Sequence, residues 1–177
     1  GGALRTVIDD VLDSSRLEAV GATLRRERMR PSDVVTEVIA LHAAVALHKG
    51  LQLVGDADDD AEGAAVLGDA ARLRQVLLNL VGNAVKFTDR GEVALRVAAR
   101  PGSDGHALVL RFEVRDTGPG IDAESQARLF TPFAQTAGSP TAHRGGTGLG
   151  LAISQRLVVA MGGRIHIDSR PGAGACF

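Results

Sequence analysis

The sequence predicts an α/β protein, a two-layer sandwich in which helices cover one face of a mixed, mainly antiparallel sheet. Several stretches carry apolar residues at helical spacing, and between them lie segments that alternate apolar and polar residues as half-buried strands do. Gly50, Gly162-Gly163 and the run Pro171-Gly172-Ala173-Gly174 stand where one pattern stops and another begins.

The bulk numbers agree. A chain of 177 residues with 45% apolar content suits one domain, or one domain with a short appendage, and can bury a core. Net charge is −1 and no long run of Lys or Arg occurs, so nucleic acid and acidic membranes are not indicated as partners. The lone Cys176 excludes an internal disulfide and a cysteine-rich metal site. No apolar run reaches the roughly 18 residues that would cross a bilayer, and no signal peptide follows Gly1. Gly1 enters directly into a helical pattern and Phe177 follows a glycine-rich turn, so we expect a fragment of a longer protein.

In chain order, Leu4, Val7, Ile8, Val11, Leu12 and Leu17 predict a helix over about 3–20, with Gly21 as its stop. Pro31-Ser32-Asp33 opens a second helix carrying Val34, Val35, Val38, Ile39, Leu41 and Val45 and ending at Gly50. Leu51–Val54 reads as a short strand, and the acidic tract Asp56–Glu62 as a solvated loop, because its carboxylates repel one another. A third helix runs from about Asp69 to Phe87. Strands follow at Glu92–Ala99 and Ala107–Arg115, then a short helix near Glu124–Phe130, a polar glycine-rich stretch from Thr131 to Gly146, and a helix from about Gly148 to Met161. Arg164–Asp168 reads as a strand that turns back into another at Ala175.

Three of these places carry candidate chemistry. On the third helix Leu73, Val76, Leu77, Leu80, Val81 and Ala84 share an apolar face, while Asn79, Asn83 and Lys86 form a stripe on the other side. Asn costs up to about 0.7 kcal/mol in a helix interior against Ala. Two in register with a Lys suggest amide oxygens for a hard cation and an ammonium for phosphate; a merely solvated face is the alternative. Asp116 continues the apolar parity of Leu108, Leu110, Phe112 and Val114, which turns its carboxylate toward the core side. Such a carboxylate needs a donor. An adenine amino group would serve, with Gly118 and Gly120 letting backbone approach the base; a surface turn rich in Asp, Gly and Pro is the alternative. Gly145–Gly150 lacks both the Rossmann spacing and the Gly-Lys-Ser/Thr of a P-loop. What it offers is a helix N-terminus with free N–H groups for an anion, or simply a loop that permits close packing.

Taken together and in order, Asn79–Lys86, Asp116–Gly120, Phe130–Phe133 and Gly145–Leu151 resemble the N, G1, F and G2 boxes of the sensor histidine kinase catalytic domain. Its ATP-binding fold, the Bergerat or GHKL fold, is shared with gyrase, Hsp90 and MutL. The resemblance covers about residues 3–177. It implies ATP and Mg²⁺ as ligands, Asn83 on the metal, Asn79 assisting, and Lys86 on phosphate. It implies Asp116 reading the adenine amino group, with further nucleotide contacts from Gly118, Gly120, Ile121, Phe133, Arg144, Gly146, Thr147, Gly148, Leu149 and Gly150. Thr131–Gly146 would be the lid over ATP, with Phe130 and Phe133 as its apolar latch. The lid departs from the common pattern at Thr141-Ala142-His143-Arg144, where relatives often carry a basic residue and an aromatic.

None of His42, His48, His106, His143 and His166 lies in a phosphoacceptor motif. The segment Asp9–Ala19 resembles the end of the second dimerisation helix of hybrid sensor kinases, which divides the chain into 1–21, that helix end, and 22–177, the catalytic domain. The implied reaction is transfer of the ATP γ-phosphate to a His in an upstream dimerisation domain of a homodimeric parent, for relay to the receiver domain of a response regulator. The implied setting is cytoplasmic, or the cytoplasmic part of an inner-membrane sensor kinase. In gyrase-like relatives a Glu one turn before the metal Asn activates water; here that position is Asn79. A GHKL-type ATPase and a nucleotide-binding module without kinase activity stay open as alternatives.

Overall fold

The computed structural model describes residues 24–102, 107–132 and 148–177. The expected helix over 3–20 lies outside them, as do Phe133, His143, Arg144, Gly146 and Thr147 and with them nearly all of the expected lid.

Helix α1 (Pro31–Lys49) starts with Pro at its first position and stops at Gly50, as the sequence predicts. Val34, Val35, Val38 and Ala46 point inward, but Leu41, Val45 and Leu47 are exposed. Positions 34, 38, 41 and 45 share one stripe of a 3.6-residue helix, so burial changes along α1 and not only around it. The next strand, β2 (Leu51–Ala57), is longer than expected. It runs into the acidic tract, which is not a plain loop: Asp59–Gly63 forms a one-turn helix, α2. Asp58 caps it by accepting from the Ala61 N–H at 2.8 Å, and Arg100 pairs with Asp58. A helix N-terminus and a cation from a neighbouring strand thus offset the repulsion among the carboxylates.

Two short strands escape the sequence reading. β1 (Glu27–Met29) pairs antiparallel with β3 (Val66–Gly68) in a separate ribbon. Three polar-rich residues leave no period to detect. Helix α3 (Ala70–Phe87) matches its prediction and is capped by Asp69, whose carboxylate accepts from Arg72 N and, across the ribbon, from Arg25 N, both at 3.0 Å. All six residues assigned to its apolar face are buried, and Val85 joins them.

The main sheet has the order β2-β4-β5-β7-β6, with β4 (Gly91–Pro101), β5 (Leu108–Asp116), β6 (Asp168–Ser169) and β7 (Ala175–Cys176). Only the β2–β4 pair is parallel; the other pairs are antiparallel. Val93, Leu95, Val97 and Ala99 of β4 are buried under the helices, whereas Arg96 and Arg100 face away. The sheet therefore has one apolar face and one charged face, as a two-layer sandwich requires. The strand expected at Arg164–Asp168 shrinks to Asp168–Ser169. β7 offers rungs only at Ala175 and Cys176, so Ile165 and Ile167 are half-buried without a ladder. Helix α4 (Ala123–Arg128) and helix α5 (Gly150–Ala160) complete the layer, α5 lying against α3 with Ile153 and Leu157 in the core.

Candidate functional site

Three of the four boxes meet on helix α3. Midway along it, α5 comes so close that a Cβ on Gly150 would stand 2.4 Å from Asn79 Oδ1. A larger residue there would have to displace the Asn79 amide. Asn79 Nδ2 donates to the buried Ser154 Oγ at 2.9 Å, and Asn83 Nδ2 donates to Asn79 Oδ1 at 3.4 Å. The two asparagines are thus half-buried and linked, not a solvated stripe. Lys86, three residues on, is half-buried with Nζ 4.9 Å from the Phe87 ring centroid. Loss of water lowers its pKa, a cost that an anion at the ammonium would relieve.

At the C-terminal end of α3 sits the Asp116 turn. Asp116 lies opposite Val93 in the β4–β5 register and so on the core face, as its parity predicts. Burial pushes its carboxyl above the usual range, offset in part by N–H donation from Gly118 and Ala175 and by the nearby Thr88 hydroxyl. The Gly118 N–H reaches Asp116 Oδ1 at 2.8 Å. Thr88 Oγ1 is fully buried and has no partner at hydrogen-bonding geometry, although it stands beside Asp116 and Gly118. A buried hydroxyl next to an inward carboxylate marks a place where a polar ligand or water belongs.

The glycines of this turn serve the protein itself. A Cβ on Gly118 would meet Asp116 Oδ1 at 2.9 Å and Thr88 Oγ1 at 3.0 Å. Gly120 has φ 72°, and its Cβ would meet the Arg170 carbonyl at 1.9 Å. The turn is clamped to the β6–β7 hairpin: Gly172 N donates to Pro119 O at 2.7 Å and Ile121 N to Ser169 Oγ at 2.9 Å. Gln126 Nε2 adds bonds to the carbonyls of Ile121 and Ser169. Ile121 is thereby held by backbone and half-buried.

The start of α5 differs from three other helix starts. Asp58, Asp69 and Asp122 cap α2, α3 and α4 with side-chain oxygens. The cap position of α5 is Leu149, buried and with no side-chain hydrogen bond to the helix. Its first turn thus has no side-chain cap from the N-cap position, and a helix N-terminus of this kind suits an anion.

Three residues of this region carry no sequence signal strong enough to single them out. Thr88 follows the helix as an ordinary cap residue. Ser154 is one serine on a helix face. Lys49 donates from Nζ to the carbonyls of Val85 and Thr88 at 2.6 Å and of Lys86 at 3.1 Å, closing the C-terminus of α3 from another helix. His42 is half-buried against Gly82, with Nδ1 2.9 Å from Val38 O. A cavity of about 360 Å³ between α1 and β2, lined by Val35, Ile39, Gly55 and Glu62 among others, shares no residue with the boxes.

Linked amides on α3, an inward aspartate at the end of that helix and a glycine-led helix start packed against the amides are the arrangement of a GHKL-type ATP-binding domain. Comparison with known proteins narrows the class. Residues 68–177 match the family model described as "Histidine kinase-, DNA gyrase B-, and HSP90-like ATPase", and the chain belongs to that family. The virulence sensor protein BvgS of Bordetella bronchiseptica is 44% identical over 177 residues, covering 97% of this chain and 14% of that protein. The signal transduction histidine-protein kinase BarA of Escherichia coli is 41% identical over 174 residues, covering 98% of this chain and 19% of that protein. Among solved structures, full-length ShkA in complex with AMPPNP superposes with TM-score 0.84 at 37% identity, over 98% of this chain and 34% of that one. The Acinetobacter baumannii histidine kinase AdeS superposes with TM-score 0.74 at 25% identity, over 99% and 76%. The chain thus spans less than a fifth of the curated relatives BvgS and BarA. Among the described residues no helix is long and apolar enough to cross a membrane.

Proposed function

We propose that this domain binds Mg²⁺–ATP and donates the γ-phosphate to a histidine on an upstream dimerisation domain of a homodimeric sensor kinase, from which it passes to a response-regulator receiver domain. In this reading residues 1–21 end the second dimerisation helix, 22–177 form the catalytic domain, and the setting is cytoplasmic. The kinships above support the reading at the level of the family.

The observation that carries the kinase reading is the state of Asn79. An amide cannot take a proton from water, and this one is bonded to Ser154 and Asn83. The hollow therefore lacks a base where a hydrolase of the family would need one, which favours transfer to a nucleophile that needs none, a neutral imidazole. Asp116 and Thr88 offer an acceptor and a hydroxyl to the adenine edge. Lys86 and the N-terminus of α5 offer positive charge to the phosphates. Gly118, Gly120 and Ile121 shape the adenine end, and Gly148, Leu149 and Gly150 the phosphate end.

The donor set fits a cation held mainly by phosphate oxygens and water. Among the described residues no group of three His, Cys, Asp or Glu is poised to hold a metal, and Asn83 would contribute one amide oxygen. Bound there, Mg²⁺ would neutralise phosphate charge. Phe133, Arg144, Gly146 and Thr147 remain proposed nucleotide contacts from the lid.

The test is labelled-phosphate transfer from ATP to a supplied dimerisation domain, with calorimetric titration of ATP in parallel. Wild type should bind and transfer. Asn83→Ala should lose transfer by at least about a hundredfold, the scale of a lost electrostatic contact to the transition state, while keeping part of the nucleotide affinity. Full transfer by Asn83→Ala would refute the assignment of Asn83. Steady ATP hydrolysis without transfer would favour an ATPase instead.

A further inference from the structure

Ser154 lies on α5, four residues past Gly150, and is 2% exposed. It touches neither the adenine turn nor the Lys86 end of α3. Its hydroxyl oxygen nevertheless accepts from Asn79 Nδ2 at 2.9 Å, and Asn79 Oδ1 in turn accepts from Asn83 Nδ2 at 3.4 Å. These bonds run in one direction, from Asn83 through Asn79 to Ser154.

A primary amide has two donors on one side and a carbonyl oxygen on the other, and it can turn over at little intrinsic cost. In isolation Asn83 would present either NH₂ or C=O to the hollow. A cation needs the oxygen. The bond to Asn79 Oδ1 engages the NH₂ of Asn83 and turns its carbonyl oxygen the opposite way. Asn79 is held with Oδ1 toward Asn83 by its own NH₂, which donates to Ser154 Oγ. Gly150 completes the arrangement, because any side chain there would strike Asn79 Oδ1.

We infer that Ser154 is a positioning residue that fixes, through Asn79, which atom Asn83 presents to the metal–phosphate end of the site. The inference rests on the reading of Asn83 as a metal ligand proposed above. It also revises the role of Asn79, from assisting at the metal to orienting its neighbour. Because Ser154 stands on the helix that follows the glycine loop, the same link makes the metal amide sensitive to how α5 sits on α3.

The experiment compares wild type with Ser154→Ala, which keeps helix propensity and removes one acceptor. Nucleotide affinity is measured by calorimetry with the nonhydrolysable analogue AMPPNP, first in EDTA and then over a Mg²⁺ series. In parallel, side-chain amide resonances of Asn79 and Asn83 are followed by NMR in metal-free, nucleotide-free protein. We expect metal-free affinity within about twofold of wild type and a Mg²⁺ midpoint raised about three- to tenfold, the worth of one neutral hydrogen bond. Both amide pairs should move toward the positions of unbonded side chains.

An unchanged Mg²⁺ response in Ser154→Ala overturns the relay while leaving Asn83 as a ligand. Metal-free and metal-loaded affinities that fall by the same factor also overturn it, since plain loosening of the α3–α5 contact acts on both. A wild-type protein whose nucleotide affinity ignores Mg²⁺ overturns the metal reading of Asn83, and the relay with it.

Discussion

Lys49 and Thr88 are 39 residues apart in sequence, yet Lys49 Nζ lies 2.6 Å from the Thr88 carbonyl oxygen. The same ammonium donates to Val85 O and Lys86 O, so one side chain serves the last turn of the Asn helix and the residue that follows it. A helix C-terminus carries partial negative charge and carbonyls without intrahelical donors. Lys49 answers both needs. In doing so it fixes the corner from which Lys86 and Thr88 enter the site.

Replacing Lys49 with Met should therefore destabilise the domain by about 2–3 kcal/mol, the scale of charge-assisted bonds lost from a partly buried acceptor set. Arg should restore only part of this, because a planar fork cannot converge on three carbonyls as an ammonium does. Urea unfolding of the three proteins measures it. A Lys49→Met midpoint equal to wild type would show that water replaces the ammonium without loss.

Asp116 should trade stability for binding. Its burial raises the carboxyl pKa in the folded state above the ordinary 3.8. A raised acid favours the folded state most when protonated, so its contribution is greatest at low pH and is lost as pH rises from 3.8 through the folded value. Asp116→Asn keeps an oxygen for the Gly118 N–H and carries no charge. At neutral pH the apo variant should melt higher than wild type, and the gap should narrow as pH falls toward 3.8. Nucleotide affinity should drop at least about tenfold, since the amide presents a donor where the adenine amino group needs an acceptor. Melting curves at several pH values with a parallel titration check both halves. A variant that melts lower at pH 7 would mean that the hydrogen bonds to the carboxylate outweigh its burial.

The one-sided helix α3 and the parity that turns Asp116 inward were legible because each depends on a period within one element. Burial of Leu73, Val76, Leu77, Leu80, Val81 and Ala84 follows from 3.6 residues per turn, and the core-side placement of Asp116 from alternation along β5. The contacts that organise the site were not legible, because they join distant segments: Asn79 to Ser154 across 75 residues, Lys49 to Val85 across 36. Nothing in the local pattern of either partner specifies the other. The acidic tract misled for a related reason. Repulsion among Asp58, Asp59, Asp60 and Glu62 was visible, but Arg100, which pairs with Asp58 from β4, was not. Exposure of Leu41 and Val45 is a further case: both share the stripe of the buried Val34 and Val38, and the helical period does not show where along α1 that stripe leaves the core.

The two glycines of the Asp116 turn should separate folding from binding. Gly120 sits at φ 72° with its Cβ position 1.9 Å from the Arg170 carbonyl carried by the hairpin, and backbone on both sides leaves nothing that can swing away. Gly120→Ala must move the hairpin off the turn, breaking the Gly172–Pro119 and Ile121–Ser169 bonds. A loss of about 2–4 kcal/mol is expected, combining left-handed strain with the steric shift. At Gly118 the nearest atoms are the Asp116 carboxylate at 2.9 Å and the Thr88 hydroxyl at 3.0 Å, both on side chains. These can yield by a few tenths of an ångström, so Gly118→Ala should cost under about 1.5 kcal/mol of stability. What yields, however, is the pair of groups proposed to face the adenine edge, and nucleotide affinity should fall about tenfold or more. Thermal unfolding and ligand titration of both variants decide the matter. Equal stability losses at the two positions would mean that the turn and the hairpin move together and that the clamp is not rigid.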